Sequence, residues 1–245
     1  MKKQFVAIFI LICSLNTYSQ QWFEAGVKGG YGVSFLANSN LFNDHSFSPQ
    51  ISFGYMYGGK IGFNFNENHA ITVDVTTGSI EQKYNYGHLN PDSSKTIYNR
   101  SIGFDALNIL LMYRKAGDGG YFEIGPQLST ITKTRGSDGF TQTKNVDISA
   151  NLAKSYYSAV VGFGGYILGS DDFRLILGFR ASYAFTDVLS SAGRQSSFPS
   201  TTHYTNYKAI NPVTGMMLME LNFDVGYFAR SRCKKRKLSF LLFSK

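Results

Sequence analysis

Trp22-Phe23-Glu24-Ala25-Gly26-Val27-Lys28-Gly29-Gly30-Tyr31-Gly32-Val33-Ser34-Phe35 changes character at every residue. One set reads Phe23, Ala25, Val27, Gly29, Tyr31, Val33, Phe35; the other reads Trp22, Glu24, Gly26, Lys28, Gly30, Gly32, Ser34. A period of two marks a strand, because successive side chains leave a pleated backbone on opposite faces. The run also outlasts an ordinary strand of about five or six residues and suits a tilted bilayer crossing, which needs about 9 to 11. The next such run sets Ile51, Phe53, Tyr55, Tyr57, Gly59, Ile61, Phe63 and Phe65 against Ser52, Gly54, Met56, Gly58, Lys60, Gly62 and Asn64.

Six further segments carry the pattern onward. Their apolar faces are Ile71 to Val75, Leu107 to Tyr113, Phe122 to Leu128, Ala159 to Ile167, Phe173 to Phe185 and Met217 to Tyr227. In the fourth, Leu110 and Met112 blur the alternation. The connections fall into two classes. Asn66 to His69, Ala116 to Gly120 and Gly169 to Asp172 are short and polar; Leu36 to Pro49, Asn85 to Arg100, Lys133 to Lys154 and Asp187 to Val213 are long. Short turns at one end and long loops at the other are the periplasmic and extracellular ends of an outer-membrane barrel.

The sign of the alternation identifies the surroundings. The apolar faces hold no charged residue, whereas the opposite faces carry Glu24, Lys28, Lys60, Asp74, Arg114, Glu123, Arg174, Arg180, Glu220 and Asp224. A barrel in water would have this arrangement inverted, so the solvent outside is expected to be lipid. The expected fold is therefore all-β: an eight-stranded antiparallel transmembrane up-and-down β-barrel, localised to the outer membrane. In so narrow a barrel side chains fill the interior, and buried charges need partners. Glu24, Lys28, Lys60, Asp74, Arg180, Glu220 and Asp224 are thus expected to form a structural charge network inside.

The flanks read differently. Lys2, Lys3 and the apolar run Phe5 to Leu15 form a signal peptide, with Thr17-Tyr18-Ser19 supplying the cleavage site; residues 1–19 are expected to be removed. A lipidated Cys13 is disfavoured because Ile12 is large for the preceding position. Residues 20–228 are the expected barrel and 229–245 a basic tail. The net charge of +8 belongs to the ends: Gln20 to Phe228 holds 15 basic and 16 acidic residues. Nucleic acid is not an expected partner. Outer-membrane lipid is, together with a protein partner at the extracellular loops or the periplasmic tail. With Cys13 in the signal, Cys233 is the only other cysteine, so the mature chain has no internal disulfide or cysteine-built metal site.

Catalysis finds little footing. Gly29-Gly30-Tyr31-Gly32 resembles a phosphate-cradling loop but sits within an alternating strand. The histidines are His45, His69, His88 and His203. Asp44-His45-Ser46 and the Ser196 to His203 loop have the residue types of a rim hydrolase, yet no spacing sets a nucleophile beside a base. No enzyme activity, cofactor or metal is expected. The leading expectation is a non-enzymatic structural, accessory or binding barrel, with a narrow solute channel or a rim enzyme on lipid or peptide as alternatives.

Several segments carry a family resemblance. Phe104-Asp105-Ala106-Leu107-Asn108-Ile109-Leu110-Leu111-Met112-Tyr113, Tyr121-Phe122-Glu123-Ile124-Gly125-Pro126, Val161-Gly162-Phe163-Gly164 and Arg180 to Val188 follow one another at a characteristic spacing. In that order they resemble the outer-membrane β-barrel domains of Bacteroidota, the broad PorT-like group. Asn108-Ile109 stands where that family often has Ile-Pro, and this chain continues past the last strand. The resemblance implies a barrel over the mature chain to about Phe228; a role in type IX secretion follows only at the level of the family.

Overall fold

The computed structural model describes residues 21–42, 47–89, 91–92, 94–170, 173–196, 198–200, 206–229 and 239–240. The expected signal peptide, Asp44-His45-Ser46, Ser197, His203, Cys233 and most of the basic tail lie outside the described residues.

The chain is all-β. Its strands are β1 (Gln21–Ala37), β2 (Phe47–Gln50), β3 (Ser52–Asn64), β4 (His69–Leu89), β5 (Lys95–Ala116), β6 (Gly120–Asp138), β7 (Thr143–Val146), β8 (Ser155–Gly169), β9 (Phe173–Ala184), β10 (Asn211–Ala229) and β11 (Ser239–Phe240). Two short helices, α1 (Ser39–Phe42) and α2 (Ser191–Gln195), lie in connections. Every pairing is antiparallel. Followed from β1, the partners run β3, β4, β5, β6, β8, β9 and β10, and β10 pairs with β1 along its whole length. The strands of this circuit are uneven, from 12 residues in β9 to 22 in β5. The brief β11 pairs with the end of β8, placing part of the apolar patch that follows the basic run.

Face assignment follows the alternation. Val27, Tyr31, Phe53, Tyr57, Ile61, Val73, Val75, Ile109, Leu111, Phe163, Leu177, Met219 and Val225 are exposed; Glu24, Lys28, Lys60, Asp74, Arg114, Glu123, Arg180 and Glu220 are buried. Leu110 and Met112 are buried and pack with Val160 on the interior face, so their apolar character does not interrupt the strand.

The long connections are more ordered than the sequence reading expects. The expected loop Asn85 to Arg100 is mostly strand: β4 and β5 stay paired from His69↔Lys115 to Leu89↔Lys95. The expected loop Lys133 to Lys154 contains the end of β6, all of β7 and a 3-10 turn at Ser149–Asn151. Leu36 to Pro49 contains α1 and part of β2, which pairs with β4 above the end of β3; Asp187 to Val213 contains α2 and the start of β10. His69, expected in a turn, opens β4. The physical reason is a second core. Phe47, Ile80, Tyr84, Tyr86, Ile102, Phe104, Leu152, Tyr156, Val188, Leu189 and Ile210 are buried together at the long-loop end. The interior face that is charged lower down becomes apolar here, and pairing continues because that face has something to bury.

Candidate functional site

The interior charges are the chemical feature that organises the molecule. They point inward from β1, β3, β4, β5, β6, β9 and β10 because each occupies the interior phase of its strand. Glu220 lies at the centre, 3.0 Å from Lys28 Nζ, 2.6 Å from Lys60 Nζ and 2.8 Å from Arg114 Nη1. Lys28 also donates to Asp74 at 2.7 Å; Arg180 reaches Asp74 at 3.0 Å and Glu123 at 2.5 Å; Arg114 reaches Glu123 at 2.8 Å. These six groups close a loop of alternating sign: Glu220, Lys28, Asp74, Arg180, Glu123, Arg114. A branch leaves it through Lys60 to Glu24 at 2.8 Å, then Arg174 at 2.9 Å, then Asp224 at 2.6 Å from Arg174.

All seven residues expected in the network therefore belong to one connected set. Arg114, Glu123 and Arg174, expected on the interior face but outside the network, supply the missing bridges. Pair identities could not be read from alternation. Lys28 and Glu220 are direct neighbours on adjacent strands, as are Arg114 and Glu123. Arg180 to Asp74 and Arg114 to Glu220, however, join strands that are not paired with each other.

Glycine makes the space. A Cβ on Gly162 would lie 2.8 Å from Glu123 Oε1, and one on Gly62 would lie 2.8 Å from Glu24 Cγ. Each carboxylate occupies the hollow left by a glycine on the neighbouring strand. Rings close the short-turn side: Arg114 lies over the Tyr121 ring at 4.0 Å and Arg174 over the Trp22 ring at 5.9 Å. Toward the long-loop end a cavity of about 40 Å³ separates the charges from the apolar core, with Thr76, Asn108, Gln127, Arg180, Ser182 and Thr214 in its wall. Thr76 Oγ1 and Arg180 Nη1 are buried without a protein partner, and the space suits ordered water.

The remaining candidates are placed simply. Gly29-Gly30-Tyr31-Gly32 lies within β1, paired residue for residue with β3 and β10, so it is strand and not a ligand loop. His69 Nδ1 is 2.6 Å from Tyr113 Oη at the short-turn end; His88 packs against Phe140 and Tyr98 near the hairpin tip. Among the described residues no group of three His, Cys, Asp or Glu side chains is placed to hold a metal ion.

Solved structures similar to this one include Neisserial surface protein A, at 10% identity with 82% of this chain and 96% of that one covered and a TM-score of 0.40. Ail, the attachment invasion locus protein of Yersinia pestis, is similar at 10% identity, 84% and 100% coverage and a TM-score of 0.38. The outer membrane protease OmpT from Escherichia coli is similar at 8% identity, 86% and 97% coverage and a TM-score of 0.31. No curated protein matches the sequence. Residues 18–190 match the outer membrane protein beta-barrel domain. That match spans most of the chain, and with the outward apolar faces it gives the assignment: the chain belongs to the outer membrane protein beta-barrel domain family and resides in the outer membrane.

Proposed function

We propose that this protein is a non-enzymatic, eight-stranded transmembrane barrel with a sealed interior, presenting its long-loop end as a binding surface outside the cell. The observation that carries the reading is the neutral interior network of five acids and five bases, all joined by ion pairs. A solute path needs room and an accessible field. Here the charges satisfy one another, and an apolar core covers them at the loop end. Buried charges held in this way fix one interior packing, since a partner removed would leave an uncompensated ion. The rigid loop end is then the part free to carry recognition.

The proposal includes cleavage after Ser19, a barrel over residues 20–228 and a basic tail on the periplasmic side. The narrower likeness to PorT-like barrels of Bacteroidota belongs to it as well. Planar-bilayer recording tests the sealed interior: the purified protein should insert without steady conductance. A large, stable, ion-selective current from the unmodified protein would replace this reading with a channel.

A further inference from the structure

Above Thr130↔Ser155 the strands β6 and β8 separate. β6 continues to β7, and the chain returns along residues 147–154. A groove of about 380 Å³ opens between them, lined by Thr132, Lys133, Thr134, Asp147, Ser149 and Lys154 among others. Thr132 is skipped where Asp105 pairs with Lys133 and Ala106 with Ile131, and its hydroxyl donates to Asp105 O at 3.1 Å. Across its base, Ile131 N donates to Lys154 O at 2.9 Å and joins the two walls.

Position and charge together suggest an occupant. On this side of the molecule the outward surface below the groove is apolar: Ile124 and Val161 are exposed, and Tyr157 stacks on Phe185 with both rings exposed. Above it the exposed residues are mostly polar, Thr143, Lys144 and Asn145 beside Phe140 and Val146, and inward Ile102, Phe104 and Tyr156 are buried in the loop-end core. The groove thus lies where lipid gives way to water. The one carboxylate in its wall is already engaged: Asp147 accepts from Thr134 and from Ser149 N and Oγ at 2.9 and 3.0 Å. Lys133 and Lys154 have no ion pair among the described residues, and both are exposed.

We propose that this groove binds the phosphate of an anionic lipid headgroup in the outer leaflet, between Lys133 and Lys154, with its acyl chains lying along β6 and β8 beside Tyr157. The inference rests on the transmembrane reading above. Ammonium groups at the membrane surface attract anionic headgroups, and hydroxyls beside them complete the oxygen contacts.

The test uses the full chain refolded into phosphatidylcholine vesicles with or without a bisphosphorylated glucosamine glycolipid. Flotation reports insertion, and native mass spectrometry after gentle detergent release reports retained glycolipid. Wild type should retain one glycolipid. Lys133→Gln with Lys154→Gln should retain about tenfold less, Lys133→Arg with Lys154→Arg should restore it, and Lys144→Gln on β7 should match wild type. Excess inorganic phosphate should not displace the glycolipid; displacement would reassign the groove to free phosphate and overturn the lipid assignment. Insertion with equal retention by wild type and the double Gln variant would overturn this site alone. Failure of the wild type to float with vesicles would overturn the transmembrane reading and the site with it.

Discussion

Glu220 holds three cations, accepts from Asn222 Nδ2 at 2.6 Å, and is almost fully buried. Glu220→Gln would leave Lys28, Lys60 and Arg114 with one carboxylate fewer among them. The expected loss is about 3–5 kcal/mol, the scale for breaking a buried pair, read by urea unfolding of the vesicle-folded protein. Asp224→Asn acts at the end of the branch, where Arg174 and Asp224 are 21% and 13% exposed in their side chains. Water replaces much of what is lost there, so the cost should be nearer about 1 kcal/mol. Equal costs at both positions would show that the pairs act singly and not as a network. At this scale the sequence was informative about one thing, the face. Alternation placed Glu24, Lys28 and Lys60 inside because period and sign agreed over long runs. It could not tell that Arg180 meets Asp74 across the interior, since that depends on stagger between strands far apart in the circuit.

The strands themselves show where the reading stopped short. Along β4, Thr72, Asp74 and Thr76 are buried while Ile71, Val73 and Val75 are exposed; beyond Ser79, Ile80, Tyr84 and Tyr86 are buried and Lys83 is exposed. The period never changes, only which character faces inward. The apolar residues of the outer face thin out past this inversion, and residues 85–100 of the β4–β5 ribbon are accordingly expected as loop. The Ile80-x-Gln82-x-Tyr84-x-Tyr86 spacing carried the signal. Tyr84 tests this core in two directions. Its hydroxyl is buried with no partner, so Tyr84→Phe should stabilise the loop end by about 1 kcal/mol, while Tyr84→Ala should cost about 3–5 kcal/mol. Hydrogen exchange of the upper β4 and β5 amides would measure both. The same element carries a pH dependence. Burial works against the Asp138 carboxylate, but hydrogen bonds from Arg100 Nε at 3.0 Å and Tyr86 Oη at 2.8 Å outweigh it and hold its pKa below the ordinary value. A depressed carboxyl contributes stability that is present above the unfolded-state pKa and lost as pH falls through the folded-state one. Protection factors at the β5–β6 end, with the intrinsic pH dependence of amide exchange divided out, should therefore fall on acidification through the carboxylate range, and Asp138→Asn should flatten that dependence.

For the whole molecule, the inversion of polarity and the segregation of connections make one claim about orientation. The described turn residues 65–68 and 117–119 lie at the end where the charged interior is closed by Trp22 and Tyr121; α1, α2, β7 and the β4–β5 tip lie at the other. Long loops of outer-membrane barrels face outward from the cell and short turns face the periplasm. A binding role for the loop end requires that orientation, because a partner outside the cell can meet only what is exposed there. Two cysteine variants decide it in a Cys233→Ser background. Thr141→Cys lies on the exposed connection between β6 and β7; Asp118→Cys lies in the turn between β5 and β6. A membrane-impermeant thiol reagent added to intact cells should label Thr141→Cys and miss Asp118→Cys, and both should react once the outer membrane is permeabilised. Both sites lie on connecting segments outside the circuit of strands, so neither change should disturb pairing. Labelling of Asp118→Cys alone would reverse the molecule in the membrane, place the loop-end core in the periplasm and turn the proposed recognition surface toward periplasmic partners.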